Sequence, residues 1–104
     1  MMNTPLEVIR ACLDHPELLC QLAEEASEMS QAALKLRRAL TGTNPTPKTV
    51  QECYDDLVEE IGDVGNALTA LGYDKSLTRM RASVAAQEKM ERWAKRLEER
   101  HGKA

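Results

Sequence analysis

Residues 18–40 read LLCQLAEEASEMSQAALKLRRAL, and residues 50–71 read VQECYDDLVEEIGDVGNALTAL. In the first stretch Leu19, Leu22, Ala26, Met29, Ala33, Leu36 and Leu40 recur in alternating steps of three and four. In the second, Val50, Tyr54, Leu57, Ile61, Val64, Leu68 and Leu71 do the same. That spacing keeps one stripe of a helix apolar, so each stretch predicts a long core-facing helix with a heptad seam. The connection between them is short, which predicts an antiparallel hairpin.

Each predicted helix carries an acidic cluster, Glu24-Glu25-Ala26-Ser27-Glu28 on the first and Glu59-Glu60-Ile61-Gly62-Asp63 on the second. With Ala26 and Ile61 as a positions, Glu25 and Glu60 fall at g, and Glu28 and Asp63 at c. In an antiparallel pair g faces g. Glu25 and Glu60 are therefore expected as neighbours, with Glu28 and Asp63 one turn along. Carboxylates gathered at a seam repel, and a fold keeps them only with a shared proton or a hard divalent cation. An all-oxygen set suits Mg²⁺, with Mn²⁺ as the alternative, and Mg²⁺ tends to bridge carboxylates to substrate phosphates. The competing reading is a solvated acidic face.

The remaining sequence agrees with an all-α antiparallel bundle of about four helices in a single domain, residues 1–104. With no Phe and only Tyr54, Tyr73 and Trp93 as aromatics, the core rests on Leu, Ala, Met and Val. So thin a core predicts completion by oligomerisation. Net charge -3 argues against a nucleic-acid partner, which wants a basic face. No apolar run is long enough to span a membrane, and no signal peptide is evident. Cys12, Cys20 and Cys53 show no C-x-x-C spacing and read as reduced thiols, most of them buried, in a cytoplasmic protein. No Gly-rich phosphate loop and no Ser-His-Asp or Cys-His pattern is present, so chemistry rests on the carboxylates and a metal.

Thr4 caps and Pro5 opens a short first helix whose apolar side is Val8, Ile9, Cys12 and Leu13. Asp14-His15-Pro16 ends it, and His15 reads as part of that junction. The second helix covers about residues 16–40. Lys35, Arg37 and Arg38 near its end either complement the helix dipole or contact phosphate. Gly42 stops it, residues 41–47 form a loop, and Thr46-Pro47 repeats the cap-then-proline signal before the third helix. Gly72 ends that helix. Gly62 and Gly65 inside it point to close approach of another helix or a ligand beside Asp63. Asn66, one turn past Asp63, can hydrogen-bond into the site. Asp74 to Ser76 offers caps for a last helix to about Arg100. Its apolar pattern is weaker (Leu77, Met80, Val84, Ala86, Met90, Trp93, Leu97). Its cations, among them Lys89 and Arg92, are either a solvated face or clamps for polyphosphate oxygens. Residues 101–104 are expected to fray.

These motifs resemble those of the MazG-like all-α nucleoside triphosphate pyrophosphohydrolases. Glu24-Glu25-Ala26-Ser27-Glu28 is similar to that family's Glu-Glu-x-x-Glu, and Glu60-Ile61-Gly62-Asp63 to its Glu-x-x-Asp. The resemblance covers roughly residues 18–71, including the Ala-rich run Gln31-Ala32-Ala33-Leu34-Lys35. It extends more weakly to Glu88-Lys89-Met90-Glu91-Arg92-Trp93, where Glu88 stands in place of a common Asn. It implies cleavage of a (deoxy)nucleoside triphosphate to the monophosphate and pyrophosphate, with Glu25, Glu28, Glu60 and Asp63 holding Mg²⁺. Glu24 would sit outside the metal ligands or orient the attacking water. Lys89, with Arg92 and Lys35, would contact phosphate. The resemblance also implies a homodimer or homotetramer. Two rival readings are phosphoribosyl-ATP pyrophosphohydrolase, which shares the acidic motif, and a non-catalytic helical adaptor.

Overall fold

Local capping chemistry places the helix starts. Thr4 accepts a hydrogen bond from the Glu7 backbone N–H, and Pro5 needs no partner for a missing N–H, so α1 runs Pro5–Cys12. Asp14 and Glu17 close a reciprocal capping box, and α2 runs His15–Thr41. Gly42 ends it at φ 69, in the left-handed region that glycine enters without a Cβ penalty. Thr49 and Glu52 form a second capping box, and α3 runs Val50–Ala70 before Gly72 at φ 79. The computed structural model describes residues 3–42 and 47–102. Within them the fold is all-α, with four helices and no strand.

Two of the expected boundaries are corrected. The third helix starts at the Thr49 cap, because Glu52 stands three residues on to complete the box; Thr46 lies outside the described residues. The last helix, α4, runs Ser76–His101 with Lys75 at its cap position and no side-chain cap bond, so neither Asp74 nor Ser76 caps it. Residues 103–104 lie outside the described residues.

The chain divides into two compact units, Met1–Gly72 and Tyr73–Ala104. In the first, α2 and α3 pack along their lengths as an antiparallel pair, and α1 rests on α3. Its buried residues are Leu18, Ala32, Cys53, Ala67 and Ala70. Half-buried Leu22, Met29 and Leu36 on α2, and Leu57 and Val64 on α3, extend the same interface.

This is a correction to the predicted seams. Leu22, Met29, Leu36, Leu57, Val64 and Leu71 face inward as expected, but the alternate positions are shifted by one residue. Leu18, Glu25 and Ala32 line α2 where Leu19, Ala26 and Ala33 were expected. Cys53, Glu60 and Ala67 line α3 where Tyr54, Ile61 and Leu68 were expected. Leu19, Leu40, Val50, Tyr54 and Ile61 are exposed instead, Leu40 at 65 % and Ile61 at 54 %. The physical reason is that each helix carries two adjacent apolar stripes sharing one set of positions, and periodicity alone does not choose between them.

Three smaller expectations are also corrected. Cys12 and Cys20 are exposed and only Cys53 is buried, because Cys12 ends α1 and Cys20 faces away from the α2–α3 interface. In α1 no residue is buried, and Val8 and Ile9 are exposed. A Cβ placed on Gly62 or Gly65 meets nothing within 4 Å, so packing within the chain does not account for either glycine.

In the second unit α4 stands as a helix with no buried residue. Leu77, Met80, Val84, Met90, Trp93 and Leu97 along it are exposed. No helix among the described residues is long and apolar enough to cross a membrane.

Candidate metal centre

The one-residue shift of the seam puts two carboxylates where side chains of a helix pair meet. Glu25 from α2 and Glu60 from α3 occupy interface positions and are half-buried. Asp63, one turn after Glu60, joins them. One carboxylate oxygen from each of Glu25, Glu60 and Asp63 lies within 4.8 Å of the other two.

The hydrogen bonding of the group is incomplete. Gln21 Nε2 donates to Glu25 Oε1 at 2.8 Å, an i,i+4 bond along α2 that fixes one oxygen of that carboxylate. The Oε2 atoms of Glu25 and Glu60 are buried and have no hydrogen-bond partner. A buried carboxylate oxygen without a donor is costly, so these atoms call for a proton or a cation.

The electrostatics agree. The Glu25 carboxyl titrates above its usual range, first because it is withdrawn from water. The Gln21 bond pulls against that shift, and the charges of Glu28 and Asp63 add to it. The Glu60 carboxyl is raised likewise, by desolvation first and then by Glu28, Asp63 and Glu25. Both shifts favour the neutral form, as expected of carboxylates withdrawn from water beside others of like charge.

The cluster stands between two clefts of the first unit. On one side is a polar cleft of about 290 Å³, faced by Glu28, Glu60, Asp56 and Glu59 and by two cations, Lys35 and Lys48. Lys48 Nζ sits 2.7 Å from Asp56 Oδ2, and that bond holds the ammonium above its usual range. On the other side is a mainly apolar cleft of about 240 Å³. Leu18, Ala67 and Ala70 form its floor, Ile9 and Leu13 one wall, and Glu25, Asp63, Gln21 and Asn66 its polar end.

The structure therefore brings together Glu25, Glu60 and Asp63, with Glu28 acting on both glutamates from the polar side. It places Lys35 in the polar cleft and Asn66 in the apolar one. Glu24 is not part of the group: it is exposed beside Pro16, Glu17 and Cys20 on the outer side of α2. Lys89 and Arg92 lie on α4, exposed, in the second compact unit.

The sequence reading passed over Gln21, Lys48 and Asp56. Gln21 had a signal, the i,i+4 spacing to Glu25. Lys48 had none, because only the reversal of the chain between α2 and α3 brings it to the cleft that Glu28 and Lys35 line.

Three carboxylates, two orphaned oxygens and flanking lysines fit a hard divalent cation with open positions for phosphate oxygens. No family model, no curated protein and no solved structure matches the chain.

Proposed function

We propose that this chain is a Mg²⁺-dependent nucleoside triphosphate pyrophosphohydrolase of the MazG-like kind, cleaving (deoxy)nucleoside triphosphates to the monophosphate and pyrophosphate. The observation that carries the reading is the convergence of Glu25, Glu60 and Asp63, with two buried carboxylate oxygens lacking any donor. Glu25, Glu60 and Asp63 would hold the cation and Glu28 would complete the set. Mn²⁺ has the same oxygen preference and would substitute. When bound, such a cation offsets charge on phosphate oxygens and activates water at neutral pH.

The chain's own residues supply the rest. Lys35 and Lys48 line the polar cleft, so the departing pyrophosphate would be neutralised there. Lys48 would exchange its bond with Asp56 for one to phosphate. The apolar cleft, across the carboxylates from the lysines, suits the nucleoside end, with Gln21 and Asn66 as polar groups at its rim. A carboxylate outside the metal set would take the proton of the attacking water, and Glu59 faces the polar cleft. Glu24 is left as a residue of the outer face, and the phosphate roles of Lys89 and Arg92 rest on the resemblance alone.

The chain would act as a homodimer or homotetramer. In support, the first unit exposes Leu40, Tyr54 and Ile61, and α4 exposes Leu77, Met80 and Trp93.

The test is pyrophosphate release from a panel of deoxy- and ribonucleoside triphosphates and from phosphoribosyl-ATP, with Mg²⁺ and with chelator. Release is expected from nucleoside triphosphates with Mg²⁺ only. Glu60→Gln should lower it at least about a hundredfold, the rate that several kcal/mol of lost charge stabilisation removes. No release from any substrate, together with no thermal shift on adding Mg²⁺, would leave the helical adaptor as the better reading.

A further inference from the structure

Helix α1 is held by little. It has eight residues and none of them is buried. A helix this short is marginal in water on its own, so its position depends on what docks it. Among the described residues, the hydrogen bonds that dock it on another helix come from Arg10. Its Nη2 donates to the Thr69 carbonyl at 2.8 Å and its Nε to the Ala70 carbonyl at 3.1 Å.

Those carbonyls belong to the last turn of α3, where a helix leaves acceptors without intrahelical donors and carries partial negative charge. The last turn of α3 has no basic residue of its own. Arg10 supplies the missing cation from another helix, sixty and fifty-nine residues away in sequence.

The consequence lies in the apolar cleft. Ile9 precedes Arg10, and Leu13 ends α1; together they form the cleft wall opposite Ala67 and Ala70 of α3. The polar cleft takes no residue from α1. The guanidinium thus fixes one wall of one cleft, by gripping the end of the helix that carries Glu60 and Asp63.

We propose that α1 is a movable wall of the apolar cleft and that Arg10 is the latch that sets it. Arg10 is then a positioning residue for whatever fills that cleft, without touching the carboxylates. The identity of that occupant as the nucleoside end of a triphosphate rests on the function proposed above.

Three proteins test this: the wild type, Arg10→Ala and Arg10→Lys. Without metal, hydrogen exchange over residues 6–13 should quicken at least about tenfold in Arg10→Ala, the lower bound for losing a forked contact at a part-exposed site, and stay unchanged over α2 and α3. With Mg²⁺ and a deoxynucleoside triphosphate, KM should rise about tenfold while kcat stays within about twofold, as for a group that acts on binding. Inhibition by inorganic tripolyphosphate, which lacks a nucleoside, should not change. Arg10→Lys should fall between, since an ammonium cannot span two carbonyls as the planar fork does.

Equal exchange of α1 in the wild type and Arg10→Ala would overturn the latch. So would an unchanged KM, or a loss of nucleotide and tripolyphosphate affinity to the same degree. A wild type that cleaves no nucleotide would overturn the proposed function, and the exchange comparison would still decide the latch.

Discussion

Glu25 and Glu60 show how one residue type can oppose the fold that carries it. Both carboxyls are raised above the usual value of 4.5, by desolvation first and then by the neighbouring carboxylates. The folded state therefore favours their protonated forms. The stability they lend is full below pH 4.5 and is lost as pH rises through the raised values. Glu52 runs the other way: its carboxylate is held below 4.5 by the Thr49 backbone N–H and then the Thr49 hydroxyl, so its contribution is lost as pH falls. In chelator, the melting temperature should decline from about pH 4.5 towards pH 8, and Glu60→Gln should be higher at neutral pH with a flatter profile. Mg²⁺ should raise the wild-type melting temperature at neutral pH and leave it unmoved at about pH 4, where the raised Glu25 and Glu60 carboxyls are protonated. A profile indifferent to both Glu60→Gln and Mg²⁺ would mean that the buried oxygens are satisfied in another way.

At the scale of the element, α2 and α3 each have two faces that can claim the core. Leu18 is 6 % exposed and Leu19 is 40 % exposed. Leu18→Ala should then cost about 2–4 kcal/mol, the range for a buried leucine that leaves a cavity. Leu19→Ala should cost under about 1.5 kcal/mol, since much of its surface already meets water. Chemical denaturation of both variants checks the order, and the reverse order would restore the seam expected from sequence. The same contrast explains the carboxylates: only the face that includes Leu18 and Ala32 carries Glu25 into the interface.

At the scale of the whole molecule, the apolar residues left outside are as informative as those within. Among its described residues the first unit buries five, four of them Ala or Cys, and leaves Leu40, Val50, Tyr54, Val58 and Ile61 exposed. On α4, Trp93 is 56 % exposed. If the proposed homo-oligomer forms, sedimentation should give twice or four times the 11.6 kDa of the chain. The interface should exceed roughly 1,000 Å². Trp93 emission should be blue-shifted at high protein concentration and move to longer wavelength on dilution. A monomer at all concentrations, with solvent-like Trp93 emission, would defeat that assembly.

The sequence by itself determined the helices and much of their limits. Caps, prolines and terminal glycines are local chemistry, and Thr4, Pro5, Gly42 and Gly72 act where they were read, whereas the capping boxes at Asp14 and Thr49 were passed over. Sequence also determined that Glu25 and Glu60 would be neighbours, because matching register on two antiparallel helices survives a small rotation of both. It could not choose between the adjacent apolar stripes, since Leu19, Ala26 and Leu40 suit a core as well as Leu18, Ala32 and Ala39 do. Only tertiary packing decided that, by rotating both helices until the carboxylates themselves entered the interface. Tertiary structure alone also brought Lys48 to the polar cleft and Arg10 to the end of α3. Those contacts join residues far apart in the chain, and no local periodicity encodes them.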